Sequence, residues 1–466
     1  MADLTALLSN LNTDAGGCPA PFIAESRYPF TDGYYGGRNC AANPLDTSAN
    51  ASRCCIPCPI FDWTYDDNFK RLTDGAAWVN VVGFILCGFL LISMVALPTT
   101  ASRRSYLNII LLAGLMLLEL GFIIPLARQP EQCFDPITPN DMHSNLTCAF
   151  SGAFAAFGGM AVVTWIVIRA LFMHLQVVHN FTPGTRSYIA ANVLAWSVTI
   201  GLTAAVLAHS GVSFRFGGYC HVNVGSISTY WGWLLGFGGI AFLLQLATLA
   251  YCIKVYLTAA IVGRQALGSS SNKSSMGGSS RSRTAFASLR RLKTVLALQW
   301  RSVAIVILAI FTTSFVCVVF IVLDNSTTLS AFANVDILIP WLLCIIGTQD
   351  KNKCLQYTGP FIIPQRIVDA TLYILAFVGI EAFLLMVRVD IFKGWWAFIR
   401  NPLGRRRSRP DSTDTFVTQP IQRFEVNRGS TILVQSPRGA EMENRKSMAP
   451  VSPVEVEEKR HPETNV

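Results

Sequence analysis

The feature that most constrains the fold of this chain is a long run of uncharged residues near its middle. Thr147 to Val167 provides 21 consecutive residues without a charge. A helix of that length spans ~30 Å, which is the thickness of the hydrocarbon core of a bilayer. Glycine and alanine recur along the run, and small residues let neighbouring helices approach closely in lipid. The run therefore predicts a membrane-spanning helix packed among others.

Six further apolar runs of similar length accompany the first. Only 14% of the residues are charged, whereas a soluble domain carries about 25%. We therefore predict an all-α membrane protein with a bundle of seven helices over residues 76–388. The predicted spans are 76–97, 106–127, 147–173, 188–208, 230–256, 302–323 and 367–387. An N-terminal segment containing cysteines (1–75), an amphipathic helix on the membrane surface (389–400) and a disordered cytoplasmic tail (401–466) complete the predicted organisation.

One apolar stretch does not fit this pattern. Ala331 to Ile346 is short, and Asn334, Asp336 and Pro340 interrupt it. We interpret it as an outer loop, at most interfacial, rather than as an eighth span.

Basic residues indicate the orientation of the chain. A net charge of +9 is compatible with nucleic-acid binding, but the basic residues lie beside apolar runs, and membrane topology accounts better for that pattern. Arg103, Arg104 and Arg186 lie in alternate loops, and seven basic residues with no acidic one lie between Arg264 and Lys293. These loops are predicted to be cytoplasmic. The N-terminus, which lacks the features of a cleavable signal peptide, is then extracellular, and the protein a multi-pass plasma-membrane protein.

Cysteines give an independent test of that orientation. Of the 13 cysteines, Cys87, Cys252 and Cys317 lie in or at the end of a predicted span, and the other ten lie on the predicted outer side. This partition is typical of an oxidising exterior and a reducing interior. The glycosylation sequons on the same side start at Asn50, Asn145 and Asn325.

The sequence alone does not determine the pairing of ten outer cysteines. The pair that we expect joins Cys148, at the top of the third span, to Cys220, in the loop before the fifth. Cys344 and Cys354 would close a small loop. The alternative for each pair is two free, buried thiols.

Several short motifs carry a resemblance to a known family. They are Gly218-Tyr219-Cys220-His221-Val222, Ala195-Trp196, and Cys54-Cys55-Ile56-Pro57-Cys58-Pro59 followed by Asp62, Trp63 and Tyr65. With seven spans and a cysteine at the top of the third, the chain resembles a G-protein-coupled receptor. It is most similar to the fungal members of the Frizzled/Smoothened-like, cAMP-receptor-like and secretin-related group. Ile168-Arg169-Ala170 does not match the acidic-Arg-Tyr triplet of the rhodopsin branch, and the N-terminal segment is too short for the ten-cysteine Frizzled lipoprotein-binding domain.

The resemblance implies a cell-surface receptor that passes an unknown extracellular signal to a heterotrimeric G protein by helix rearrangement, without catalysis, cofactor or metal. Arg301 matches a basic residue that forms a switch at the inner end of the sixth span, with Trp395 or Trp396 as its cation–π partner. The alternative is that Arg301 reaches lipid phosphates while the tryptophans anchor an interfacial helix. The remaining residues expected on the inner face are Arg169, Arg290, Arg291 and Lys293, which would meet the G protein or anionic membrane lipid.

Acidic residues within the spans are further candidates, because ionisable groups in a membrane are costly and often functional. Glu119 lies in the middle of the second span and suits either a ligand-binding role or pairing with a neighbouring helix. Glu381 lies in the seventh span, and Asp369 near its outer end.

Two other classes of protein fit the sequence less well. A transporter or channel usually shows repeated halves or broken helices, and no convincing internal repeat is visible here. A seven-span metal hydrolase needs clustered histidine and acidic ligands. The six histidines lie mostly in loops or at span ends on both sides, so this class is favoured least.

Overall fold

The computed structural model describes residues 17–43, 52–102, 105–181, 183–268, 300–301, 303–322 and 335–400. The predicted tail (401–466), Arg103, Arg104 and the basic loop from 269 to 299 lie outside the described residues.

Within the described residues, seven helices are long and apolar enough to cross a membrane. They are α1 (Phe69–Ala96), α2 (Tyr106–Arg128), α3 (Leu146–Val178), α4 (Thr185–His209), α5 (Gly232–Gly268), α6 (Val303–Val322) and α7 (Gln365–Met386). A π-helical turn at Ile227–Trp231 precedes α5. The seven-helix membrane fold predicted from the sequence is therefore confirmed.

The third helix is the centre of the bundle. In α3, 78% of the most apolar 18-residue window is buried, whereas the other six spans bury 22% to 50%. Its small residues allow this position: the backbone of Leu118 on α2 lies where a Cβ on Gly158 would stand. The amide oxygen of Asn145 accepts from the N–H groups of Thr147 and Cys148 and so caps the first turn.

The first helix begins seven residues before the predicted span. Phe69 starts it because its ring packs on Tyr65, with ring centroids 4.6 Å apart, and on Phe61, 5.6 Å away. This aromatic cluster stabilises a polar helical turn that hydropathy alone does not mark.

The stretch expected to be an outer loop is instead a helix. Val335–Thr348, here called the outer helix, has 14 residues, which gives about 21 Å and is too short to span a bilayer. The expectation of a loop at Ala331 to Ile346 was wrong because Leu338, Trp341 and Ile345 bury their side chains on one face. That burial outweighs the interruption at Pro340.

Small β-structures lie between the helices. The N-terminal module, residues 17–58, contains a three-stranded antiparallel sheet in the order β1-β3-β2, formed by β1 (Ile23–Ala24), β2 (Cys40–Ala42) and β3 (Arg53–Cys55). A two-stranded ribbon, β4 (Cys133–Asp135) with β5 (Thr138–Pro139), joins α2 to α3. The hairpin of β6 (Val212–Phe216) and β7 (Tyr219–Val222) joins α4 to α5.

Five disulfides cluster at one end of the bundle, here called the disulfide end. They join Cys18 to Cys54, Cys40 to Cys55, Cys58 to Cys133, Cys148 to Cys220 and Cys344 to Cys354. The expected pairs of Cys148 and of Cys344 are both formed, and the three cysteines assigned to the spans are free and buried.

At the opposite end, the interfacial helix (Val389–Arg400) follows α7. It is amphipathic: Phe392, Trp396 and Ile399 are exposed, whereas Ile391 is buried against the bundle. An exposed apolar face of this kind suits a helix lying in the membrane surface.

Candidate functional site

The β6–β7 hairpin covers the bundle at the disulfide end. Gly217 and Gly218 connect its strands with φ of +57° and +103°, as a two-residue type I′ turn requires. A Cβ on Gly217 would also meet Thr73 of α1. Cys220, on β7, bonds to Cys148 at the start of α3, so the hairpin is held directly over the central helix.

An aromatic stack connects this hairpin to two membrane helices. The ring of His221 stacks on Trp231, before α5, and on Phe320 of α6, with centroid distances of 5.1 and 4.9 Å. Burial against these rings and, to a smaller extent, the nearby positive charge of Arg215 together lower the pKa of His221 to about 3. His221 is therefore neutral at physiological pH and packs as an apolar ring against Trp231 and Phe320, which also stack on each other at 5.0 Å.

The same hairpin contacts the first two helices. The hydroxyl of Tyr219 donates to the carbonyl oxygen of Thr73 at 2.5 Å, and its ring packs edge-on against Phe122 of α2 at 5.2 Å. Burial raises the pKa of Tyr219 well above its usual range. The hairpin thus contacts α1, α2, α3 and α6, and any molecule that displaces it acts on all four.

The N-terminal module packs against the β4–β5 ribbon. Arg38 lies at their junction, where its guanidinium is 3.4 Å from the Asp135 carboxylate and donates to Thr138 Oγ1 at 2.8 Å. The disulfide between Cys58 and Cys133 closes the same junction. The module is therefore a fixed part of the disulfide end.

Among the described residues, one group has the composition of a metal site: Glu25, Cys40 and Cys55, whose donor atoms lie within 4.8 Å of one another. Cys40 and Cys55 are bonded to each other. No thiolate is left to bind a metal there.

Side-chain hydrogen bonds link the helices at the opposite end. Arg169 of α3 donates to Asn108 of α2 at 2.8 Å. His174 of α3 and Thr248 of α5 share a hydrogen bond of 2.9 Å between Nδ1 and Oγ1. These contacts hold α2 and α5 to the central helix.

Arg301 lies two residues before α6 and contacts the residue that follows α7. Its Nη1 donates to the carbonyl oxygen of Val387, the C-cap residue of α7, at 2.7 Å, and its guanidinium lies 5.5 Å from the ring of Trp300. The expected cation–π partners are engaged elsewhere: Trp395 donates to Ser93 of α1 at 2.8 Å, and Trp396 stacks under Arg400. Arg301 therefore contacts a backbone carbonyl that becomes available where α7 ends.

Glu119 lies where α1, α2 and α7 meet. Its carboxyl group fills the space beside Gly83 on α1 and Gly379 on α7, since a Cβ on either glycine would collide with it. The residue is 2% exposed, and neither carboxyl oxygen has a hydrogen-bond partner among the described residues. Glu381 is half-buried on α7.

Comparison with known proteins decides the family. No family model matches the chain. The chain is 38% identical over 403 residues to the G protein-coupled receptor gprM of Aspergillus fumigatus (strain CBS 144.89 / FGSC A1163 / CEA10), and the match covers 85% of this chain and 79% of that protein. The chain belongs to the G protein-coupled receptors. A receptor of this kind has a signal-receiving end and a partner-binding end, and the disulfide end and the opposite end are the two candidates.

Some predicted site residues of the receptor lie outside the part that the structure describes. These are Asn50, Asn325, Arg290, Arg291 and Lys293. Asn145 is described: its amide oxygen is used in the helix cap, and its Nδ2 is the atom that a glycan would occupy.

Sequence reasoning missed the partners of the receptor's polar side chains. Asn108, Thr248 and Ser93 are each an ordinary polar residue within an apolar helix, and the sequence does not show which helix each one faces. Arg169 and Trp395 stand out in the sequence by residue type, whereas their acceptors, Asn108 and Ser93, do not. The glycines that accommodate Glu119 are likewise indistinguishable from other small residues in α1 and α7.

Proposed function

We propose that this protein is a cell-surface receptor that passes an extracellular signal to a heterotrimeric G protein, with the disulfide end outside the cell. The observation that carries the proposal is its relation to a G protein-coupled receptor at 38% identity. The architecture supports it, because a covalently fixed cap covers one end and breakable hydrogen bonds connect the helices at the other.

The proposed orientation in the plasma membrane is supported by chemistry at the two ends. Disulfides form and persist in an oxidising exterior, and all five lie at one end. Basic residues concentrate in the loops and flanks of the other end, which agrees with the rule that cytoplasmic loops are positively charged.

We further propose that the receptor belongs to the Frizzled/Smoothened-like and cAMP-receptor-like group. Two motifs of that resemblance have defined roles in the fold. Tyr219, Cys220 and His221 form the contacts of β7, while Trp196 of α4 stacks on Phe157 and packs edge-on against Trp165 of α3, both at 5.9 Å.

In the proposed mechanism, α6 and α7 exchange between a tied and a separated arrangement. A ligand shifts such an equilibrium only by its different affinity for the two states. The hairpin at the disulfide end stacks on Phe320 of α6, and Arg301, two residues before the other end of α6, donates to the carbonyl oxygen of Val387. A displacement at Phe320 would therefore move α6, which begins two residues after Arg301, and loss of the Arg301 contact would open a surface for the G protein.

The Arg301→Ala variant tests this mechanism. A hydrogen bond from a charged donor contributes about 1.5–3 kcal/mol, so removing it should raise ligand-independent nucleotide exchange on the coupled Gα subunit by roughly tenfold. Exchange is measured in cells expressing the receptor with a panel of Gα subunits.

Arg400→Ala is the matched control. It also removes a positive charge at this end of the bundle. The contact that it removes, with Trp396, lies within the interfacial helix, so nucleotide exchange should be unchanged. If the protein affects no Gα subunit and instead conducts a solute in reconstituted vesicles, the receptor function is wrong.

A further inference from the structure

The disulfide between Cys58 and Cys133 differs from the other four described disulfides in its exposure. Both of its cysteines are partly exposed, whereas each of the other four bonds includes at least one buried cysteine. A disulfide is broken by a thiolate that reaches one of its sulfurs, so exposed disulfides are the more labile ones. This bond is therefore the one that a reductant in the surrounding medium attacks most readily.

Opening this bond would not detach the N-terminal module. The backbone N–H of Cys58 donates to the carbonyl oxygen of Pro136 at 2.8 Å, and that of Tyr34 donates to the carbonyl oxygen of Pro139 at 2.9 Å. The contacts of Arg38 with the β4–β5 ribbon also do not depend on the disulfide. The two thiols would therefore stay near each other, and the bond could form again.

The bond does limit how far the module and the ribbon can move apart. Its two cysteines are 75 residues apart in the chain, and a cross-link that closes so long a loop strongly restricts the segments that it joins. Without it, backbone hydrogen bonds and the contacts of Arg38 hold the ribbon to the module among the described residues. The ribbon would then fluctuate more.

Backbone hydrogen bonds connect the ribbon to the β6–β7 hairpin. The N–H of Asn140 donates to the carbonyl oxygen of Gln132, the residue before the ribbon, at 2.8 Å, and its carbonyl oxygen accepts from the N–H of Phe214 at 3.1 Å. The N–H of Met142 donates to the carbonyl oxygen of Val212 at 3.0 Å. Movement of the ribbon is therefore passed to β6.

The hairpin continues this path to the sixth helix. Phe214 is paired with Cys220 in the register of β6 and β7. The next residue, His221, stacks on Phe320 of α6. The disulfide between Cys58 and Cys133 is thus connected to α6 through the ribbon and the hairpin.

We propose that the bond between Cys58 and Cys133 is a redox latch that sets the mobility of the hairpin and is opened by a dithiol outside the cell. One thiolate of the dithiol attacks a sulfur of the bond, forms a mixed disulfide and releases the other cysteine as a thiolate, which takes up a proton. The second thiol of the reductant then displaces the first cysteine. The receptor gains two electrons and two protons, and the dithiol is oxidised to a disulfide. The proposal rests on the proposed function in one respect, the extracellular position of the disulfide end.

The first test measures which bond opens. Full-length receptor in lipid nanodiscs is treated with increasing concentrations of dithiothreitol, and free thiols are alkylated. The remaining disulfides are then reduced and alkylated with a reagent of different mass, and the peptides are identified by mass spectrometry. Cys58 and Cys133 should become free at a dithiothreitol concentration about tenfold lower than any other pair requires.

The second test measures the hairpin itself. At the concentration that opens the redox latch, amide hydrogen exchange in peptides containing Met142 and Phe214 should be about tenfold faster, because the ribbon that holds them is less restrained. Oxidised glutathione, which closes the bond again, should restore the original rate.

Two double variants complete the test. Cys58→Ser with Cys133→Ser should show the faster exchange without reductant. Cys344→Ser with Cys354→Ser is the matched control, because it removes a disulfide from the same end but leaves the ribbon unchanged, and it should exchange as the wild type does. Reduction of the wild-type receptor gives the open state without any substitution, so the test does not depend on the folding of either variant.

Three results would overturn the proposal: another disulfide opening first or together with this one, unchanged exchange at Met142 and Phe214 once the bond is open, or failure of the bond to form again. Because no G protein is present, each of these results leaves the signalling function untouched. A failed nucleotide-exchange assay likewise leaves the measured opening of the redox latch valid.

Discussion

His221 is a titratable side chain in a site that disfavours its protonated, charged form. It packs against both Trp231 and Phe320, and its Nδ1 accepts from the backbone N–H of Val222 at 2.8 Å. In the unfolded chain an ordinary histidine has a pKa near 6.5, whereas the folded protein lowers the pKa of His221 to about 3. Between these values the unfolded state binds the extra proton.

Acid should therefore destabilise the receptor through this residue. Stability is highest above pH 6.5 and falls as the pH is lowered, and between pH 8 and pH 5 the loss is about 2 kcal/mol. The melting temperature of the purified receptor at both pH values measures it. His221→Phe preserves ring stacking and should lose most of the difference, whereas His143→Gln, at an exposed loop position, should keep it. Equal pH dependence in His221→Phe and the wild type would refute this account.

Residues that stand out by type could be predicted, but their partners could not. Glu119 and Arg301 are recognisable because a charge is rare in an apolar run. Gly379 beside Glu119, and the carbonyl oxygen of Val387 that accepts from Arg301, depend on how three helices are arranged. A backbone acceptor has no sequence signature, so the sequence could not point to the contact between Arg301 and Val387.

At the scale of elements, the seven spans were predictable because lipid requires long helices that satisfy their own backbone hydrogen bonds. The outer helix was not, because its 14 residues fall below that length and its helical form depends on packing beneath the N-terminal module. The start of α1 was also misplaced, since the aromatic ring contacts of Phe69 depend on the tertiary fold.

The two predicted disulfides should differ in their effect on stability. In the chain-entropy model, a cross-link stabilises more when it closes a longer loop. Cys148 and Cys220 are 72 residues apart, and Cys344 and Cys354 are 10 apart. Replacing the first pair by serine should cost about 4 kcal/mol, and the second about 3 kcal/mol.

Thermal unfolding of the two double-serine variants shows which disulfide contributes more to stability. The first variant should also release the β6–β7 hairpin and expose the His221 stack, which tryptophan fluorescence of Trp231 would report. A larger loss of stability from the second pair would show that local strain or packing, rather than loop closure, determines the effect.

For the whole molecule, the orientation in the membrane is the decisive property. With the disulfide end outside, Asn145 should carry a glycan, and Asn180 and Asn272 should not. Asn145→Asp keeps an oxygen for the helix cap but removes the glycosylated nitrogen, so the receptor should lose one glycan while remaining folded. Asn180→Asp is the control and should leave its mobility on a gel unchanged.

A glycan mapped to Asn180 or Asn272 would show that the chain has the opposite orientation in the membrane. The signalling proposal would then lose its basis. Peptide mapping after enzymatic deglycosylation distinguishes the two outcomes directly.

The bond between Cys58 and Cys133 has a consequence for how the receptor withstands proteases. The N-terminal module reaches the membrane by two covalent routes, through the backbone into α1 and through this bond into the ribbon before α3. A single nick between residues 59 and 68 would leave the module attached. Shedding it from the cell would need both a cut and a reductant.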